Sequence, residues 1–321
     1  MDEIAQSIFP KKFSDPHITA TGEPRASVSF RGLEMLWLNT GTLCNLTCAH
    51  CYIESSPRND RLAYLTRGDV QACLAEIKSR NLPTHEIGVT GGEPFMNPDI
   101  MAILSDCLAQ GFRLLVLTNA MKPMWQHRDE LLALKRQYHE KGGGNGAKLV
   151  FRVSLDHYTV EGHEQERGPG SWVVALQGVD WLLSHGFAVH IAGRTFTEES
   201  EEVIRAGFAG LFAAQSWDLQ AHDPHDLLLF PEMDETRPVA EITTSCWKIL
   251  GVSPSEMMCA TSRMVVRRRG AKNISVVACT LMPYAPAFDL GTDLRSAEME
   301  VALNHPHCAR FCVLGGGTCS G

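Results

Sequence analysis

The chain of 321 residues has no run of eighteen apolar residues, so nothing in it is built to cross a bilayer as a helix. Its first twenty residues, opening MDEIAQSIFP, are acidic at the start and lack the apolar core of a secretory leader. A cytoplasmic location with no membrane partner is the expectation. A surplus of positive charge is missing as well: 29 Lys and Arg stand against 37 Asp and Glu, a net charge of −8. Neutralising a phosphate backbone takes clustered cations, so a nucleic-acid surface is excluded. The one basic run, RRRGAK from Arg267, reads as a solvated hairpin tip. Internal repeats and low-complexity tracts are absent too. What remains is a chain with 44% hydrophobic residues, ample for a full-size core, and eleven cysteines. Without secretion those thiols stay reduced, and metal or cluster ligation explains them better than disulfides do.

The cysteines are unevenly spread. Cys44, Cys48 and Cys51 crowd into NTGTLCNLTCAHCY, while Cys246, Cys259, Cys279, Cys308, Cys312 and Cys319 fall in the last quarter. Cys73 and Cys107 stand alone inside helical patterns, where a thiol serves as a small buried hydrophobe. The early group has gaps of three and two residues and no fourth cysteine nearby. Three thiolates can hold three irons of a four-iron cluster and leave the last iron open to an outside ligand. An open position marks a catalytic metal site, whereas structural sites are closed. A zinc knuckle completed by His50 is the competing arrangement, and His50 lies awkwardly for it, in a very tight loop between Cys48 and Cys51.

Between residues 35 and 233 short apolar runs alternate with helical periodicities. The strand candidates are MLWLNT, HEIGVT, FRLLVLTN, KLVFRVSLD, FAVHIAGRT and LLLFPEM, and helices are expected near 69–80, 98–110, 128–140, 171–185 and 199–215. Most of these strands are continuously apolar, which predicts burial on both faces of a parallel sheet in an α/β fold. Six strand–helix steps predict a partial (β/α)6 TIM-like barrel, whose chemistry sits at the carboxyl ends of its strands. The polar segments fall there: the triple cysteine, TGGEP, TNA, SLDH and GRT. Residues 1–34 read as an extended arm leading through the short strand ASVSF, 35–238 as the barrel and 239–321 as a cysteine-rich unit. KGGGNG at 141–146 reads as a loop.

CNLTCAHCY directly after the first barrel strand resembles the hallmark of the radical S-adenosylmethionine (SAM) enzymes, CxxxCxxC with a following aromatic, here Tyr52. The resemblance implies a catalytic 4Fe–4S cluster on Cys44, Cys48 and Cys51. SAM would occupy the open iron through its amino and carboxylate groups and be cleaved reductively to a 5′-deoxyadenosyl radical. TGGEP resembles the family's GGE motif, in which the backbone of Gly91 and Gly92 and the carboxylate of Glu93 would receive the SAM ammonium group. Among the other strand ends, Ser154 and Asp156 suit ribose hydroxyls, and Asn119 is a further SAM contact. Arg194 offers a guanidinium fork for the SAM carboxylate, with a structural ion pair to Glu198–Glu202 as its alternative. DHYTVEGHEQERGPGSW reads as a mobile loop that would bring His157, Tyr158 and His163 to substrate.

In the tail, RMVVRR and NISVVAC around RGAK read as a β-hairpin that returns Cys259 and Cys279 to one end. HPHCARFCVLGGG starts a helix at Pro306 with Cys308 and Cys312 four apart on one face, and Cys319 is near enough to replace either. This resembles the SPASM and Twitch extensions and implies one auxiliary 4Fe–4S cluster, although the CxxC-x5-CxxxC run of a full SPASM domain is missing. A zinc-bound structural cap is the competing reading. The functional expectation is a radical SAM oxidoreductase or bond-forming enzyme reduced by a one-electron carrier such as flavodoxin or ferredoxin. A small-molecule substrate is expected, since the first 30 residues are too short for a peptide-recognition domain. The alternatives are a peptide-maturing radical SAM enzyme and a non-enzymatic iron–sulfur electron carrier or redox sensor.

Overall fold

A computed structural model describes residues 11–139, 149–195, 199–231 and 238–315. In chain order the strands are β1 (Ser27–Val28), β2 (Met35–Asn39), β3 (Glu86–Thr90), β4 (Arg113–Thr118), β5 (Leu149–Ser154), β6 (Ala188–Thr195), β7 (Leu227–Pro231), β8 (Ser262–Val266), β9 (Ser275–Val277) and β10 (Val301–Ala302). Between them lie α1 (Arg67–Ser79), α2 (Ile100–Ala109), α3 (Lys122–Gln126), α4 (Arg128–His139), α5 (Val160–Arg167), α6 (Ser171–Ser184), α7 (Glu201–Gln215) and α8 (Cys246–Leu250). The six expected strands form one parallel series in the order β7-β6-β5-β4-β3-β2, the partial (β/α)6 barrel. KGGGNG lies outside the described residues.

The period of two explains why these strands are apolar throughout. On β5, Leu149, Phe151 and Val153 pack into the layer under the helices, whereas Val150 faces the barrel interior with Trp37 and Leu115. Ser154 and Arg194 at the carboxyl ends turn the interior polar, and Arg152, on the Val150 face of β5 and 1% exposed, is a buried charge within it.

The tail does not stand apart from the sheet. β8 pairs in parallel with β2, from Met35↔Ser262 to Leu38↔Val265, and β9 pairs antiparallel with β8. The expected hairpin is therefore present, and it extends the barrel sheet past its first strand. The segment after the triple cysteine is also tied to the hairpin, with Ala63 N donating to Arg267 O at 2.7 Å and Arg269 N to Arg61 O at 3.0 Å. The N-terminal arm is anchored by Arg25, fully buried, whose Nη2 pairs with Glu241 Oε1 at 2.5 Å; β1 pairs with β10.

One expectation is corrected here. Residues 160–167, read as part of a mobile loop, form α5. Thr159 caps it by accepting from Gly162 N at 3.2 Å, and Gly168, at φ +92°, ends it. The octapeptide VEGHEQER carries one apolar residue, so no hydrophobic stripe announced a helix.

Candidate active site at the barrel mouth

The carboxyl ends of the parallel strands open onto a cavity of about 150 Å³. Cys44, Cys48 and Cys51 line it together with Gly91, Gly92, Asn119, Ser154, Asp156 and Arg194, and Tyr52 forms part of its wall. Of the residues expected to hold the first cluster and SAM, all but one are thus brought to one space. Glu93 is not. It lies 1% exposed behind the wall and accepts from Thr118 Oγ1 at 2.9 Å, Asn119 N at 2.9 Å and Phe95 N at 3.2 Å. Burial raises its carboxyl to about 7, outweighing those three hydrogen bonds.

The two glycines of TGGEP have a packing reason. A Cβ on Gly92 would sit 2.4 Å from Leu43 O, and one on Gly91, at φ +152°, 2.6 Å from Gly41 O. Gly92 N donates to Gly41 O at 2.8 Å and Glu93 N to Leu43 O at 3.1 Å, so the diglycine loop forms the floor on which the cysteine loop rests. The cysteine loop is further held by Cys44 N on Ser56 O at 3.1 Å and by Ala49 N on Glu166 O at 2.9 Å.

Cys44, Cys48 and Cys51 share one cavity wall, and two of them accept backbone hydrogen bonds. Leu46 N donates to Cys44 Sγ and Ser55 N to Cys51 Sγ, both at 3.4 Å, the kind of bond that steadies a ligating sulfur. Burial pushes the Cys44 thiol up to about 12, and it raises Cys48 as well, against the nearby Arg167. Such thiols ionise when a metal takes the place of the proton. The donor set fits a cluster.

His50 turns away from the cavity: its Nδ1 lies 2.9 Å from Glu166 Oε1 and its side chain is about half exposed. His157, Tyr158 and His163 do not line the cavity either. His157 Nε2 meets Glu199 Oε2 at 2.9 Å, Tyr158 stacks on the His157 ring, and His163 is buried against Trp172. In their place stand Arg167 from α5 and Thr280, Leu281, Phe230 and Phe311. None of these was singled out from the sequence. Arg167 is the last residue before a left-handed glycine, the one local hint that a helix could aim it.

The tail cysteines converge independently. Cys259, Cys279, Cys308 and Cys312 line a second, smaller cavity of about 20 Å³ with Met257, Met258 and His307. Cys259 and Cys279 come from the two sides of the hairpin; Cys308 and Cys312 share a helical turn whose wide pitch shows in Leu314 N donating to Ala309 O at 2.8 Å. Leu281 lines both cavities, so a single side-chain layer separates them. Cys246 lines neither, accepting from Thr243 N at 3.4 Å, and Cys319 lies outside the described residues. Among the described residues no three His, Cys, Asp or Glu side chains close on one point, at the barrel mouth or in the tail.

Comparison with known proteins bears on this geometry directly. The family profile described as "Radical SAM superfamily" matches residues 38–206, just over half of the chain. The chain belongs to the radical SAM superfamily. It is therefore an enzyme that uses a 4Fe–4S cluster and SAM, and its C-terminal unit is SPASM/Twitch-like in delivering four cysteines to a second cavity, a set suited to an auxiliary 4Fe–4S cluster. It is 31% identical over 161 residues to the antilisterial bacteriocin subtilosin biosynthesis protein AlbA of Bacillus subtilis, covering 50% of this chain and 33% of that protein. It is 26% identical over 163 residues to the AdoMet-dependent heme synthase of Methanosarcina barkeri, covering 50% of this chain and 42% of that one. The match thus spans less than half the length of either relative. In fold the chain is similar to Streptococcus suis SuiB bound to S-adenosylmethionine, with a TM-score of 0.57 at 14% identity over 82% of this chain and 63% of that one.

Proposed function

We propose that this radical SAM enzyme abstracts a hydrogen atom from an organic substrate at the barrel mouth, with the auxiliary site held by Cys259, Cys279, Cys308 and Cys312 serving that reaction. The observation carrying this reading is the placement of three cysteines, a diglycine floor and a polar strand-end rim around one cavity, a single residue layer from a four-cysteine cavity. When bound, the cluster on Cys44, Cys48 and Cys51 and its SAM supply a 5′-deoxyadenosyl radical. The chain's own residues do the rest. Gly91 and Gly92 put no side chain between SAM and the cavity floor, Asn119 and Ser154 offer hydrogen bonds at the strand ends, and Tyr52, Phe230, Phe311 and Leu281 wall the reaction off from water. The enzyme acts in the cytoplasm, and a flavodoxin- or ferredoxin-type carrier delivers the electron.

For the substrate, the residues that line the cavity suit a small molecule, the first reading from the sequence. A specific observation favours peptides as the second: AlbA serves bacteriocin biosynthesis, and SuiB has been captured with its precursor peptide SuiA. The test is anaerobic incubation of the reconstituted, reduced protein with SAM. Formation of 5′-deoxyadenosine that Cys48→Ala abolishes is the expected result, and an unaltered rate in that variant would sink the reading. Repeating the incubation with candidate metabolites and with candidate precursor peptides, followed by mass spectrometry, separates the two substrate classes.

A further inference from the structure

Two buried guanidinium groups meet carboxylates: Arg25 pairs with Glu241 Oε1 at 2.5 Å and Arg194 with Asp156 Oδ1 at 3.1 Å. Arg263 does not. It stands on β8, 1% exposed and four residues after Cys259, and it donates only to main-chain carbonyls. Nε reaches Ala297 O at 2.8 Å, Nη1 reaches Cys259 O at 2.5 Å and Ser262 O at 2.7 Å, and Nη2 reaches Met299 O at 2.9 Å. The Phe30 ring covers the guanidinium face, its centre 4.3 Å away. The carboxylates beside those carbonyls are engaged elsewhere, Glu298 by Arg80 and Glu300 by Ser27 Oγ at 2.6 Å. Carbonyls satisfy hydrogen bonds without cancelling a charge. A desolvated cation is costly unless an anion stands nearby.

The tail cysteines can supply that anion. Among the described residues, the charged groups that act on Arg263 are the thiols of Cys259 and Cys279, which line the tail cavity with Cys308 and Cys312. Burial raises the Cys259 thiol, and the charge of Arg263 is what chiefly opposes it. A protonated thiol is neutral and offers the guanidinium nothing. Four thiolates outweigh the charge of a four-iron core in its usual oxidation states, so the loaded site is anionic and becomes more so when it takes an electron. Arg25, whose charge also reaches Cys308, is already matched by Glu241. A fixed, unmatched cation in a dry surrounding favours the more negative of two states.

Resting on the reading of Cys259, Cys279, Cys308 and Cys312 as ligands of an auxiliary cluster, we infer that Arg263 is the built-in counter-charge of that site and raises its reduction potential. The couple is a one-electron one: the cluster gains one electron from the reductant, no proton moves, and Arg263 keeps its charge throughout. Arg263 does not line the barrel cavity, so it acts on the reaction through the cluster, as a positioning residue. Its effect is to make the tail a readier electron acceptor.

The test is a redox titration followed by electron paramagnetic resonance on the iron-loaded chain carrying Cys48→Ala, so that the auxiliary cluster alone gives the signal. Arg263→Gln removes the charge and should disfavour reduction about 10- to 100-fold, which lowers the potential by about 60–120 mV at about 59 mV per tenfold for a one-electron couple. Arg263→Lys keeps the charge without the fork and should stay within about threefold of the parent chain. If the side chain only clamped the carbonyls, Gln and Lys, which both lose the fork, would shift the potential alike. Phe30→Glu sets a carboxylate over the guanidinium face and leaves the four carbonyl bonds in place, so its potential should fall below that of Phe30→Gln. An unmoved potential in Arg263→Gln, equal shifts in the Gln and Lys variants, or equal potentials in the Phe30 pair would overturn the inference. If Arg263→Gln fails to take up iron, the Phe30 pair decides it. A parent chain that takes up no iron in its tail would overturn the auxiliary-cluster reading itself, an outcome distinct from a loaded cluster whose potential does not move.

Discussion

Replacing Asp156 with asparagine removes the one carboxylate that both rim arginines share. Its side chain is 3% exposed, and the arginines are 9% and 7% exposed, so none of the three can shed its charge into water. Burial by itself would raise the Asp156 carboxyl, but the charges of Arg167 and Arg194 outweigh it and hold the group below the usual carboxylate range. In the variant, Arg167 keeps no carboxylate partner and Arg194 keeps only Glu166 at 3.6 Å. Breaking a buried pair in this way costs about 3–5 kcal/mol, because the surviving charge stays desolvated and unpaired. At about 2 °C per kcal/mol for a chain of this size, Tm should fall by about 6–10 °C at pH 7. The sign of the pH dependence follows from the depressed pKa. The carboxylate contributes stability above its unfolded value of about 3.9, and that contribution is lost as pH falls through the still lower folded value. The gap between wild type and variant should therefore close below about pH 4. Thermal unfolding followed by far-ultraviolet circular dichroism on cluster-free protein measures both. A fall of less than about 2 °C at pH 7 would refute the reasoning, showing that the two guanidinium groups find water or other partners.

Glu93→Gln tests the opposite shift: with its carboxyl raised by burial to about 7, wild-type Glu93 contributes most below its unfolded pKa of about 4.5 and loses that contribution as pH rises to about 7. The variant should flatten the stability profile across that window in a urea titration series. Gly92→Ala places a Cβ 2.4 Å from Leu43 O, a backbone atom that cannot swing aside, so it should cost about 1–3 kcal/mol and lower iron uptake by displacing the cysteine loop, measured as Tm and iron per chain. Cys279→Ala should reduce reconstituted iron from about eight to about four per chain while SAM cleavage without substrate persists, measured by iron assay and chromatography. About four irons in the reconstituted wild-type protein, or stoichiometric zinc in its tail, would remove the auxiliary cluster from the account.

Much of this protein was legible in its residues. Six continuously apolar runs separated by helical periodicities specify a parallel barrel because strands buried on both faces leave no polar alternation to mislead. CNLTCAHCY specifies its chemistry because a gapless local spacing survives any folding of the rest. The hairpin was readable too, since antiparallel pairing about Gly270 returns Cys259 and Cys279 to one end whatever surrounds them. What the residues could not settle depends on partners distant in sequence. That Gly91 and Gly92 face the backbone of residues 41–43, that β8 continues the sheet beside β2, and that Leu281 stands between two cavities are consequences of packing. The arginines make the point most plainly. Arg194 looked free at a strand end and is bound on three sides, by residues from position 50 to position 166, whereas Arg167 was hidden in a polar segment with no periodic stripe. A side chain's availability is set by the donors and acceptors that reach it, and only the tertiary fold decides which of them arrive.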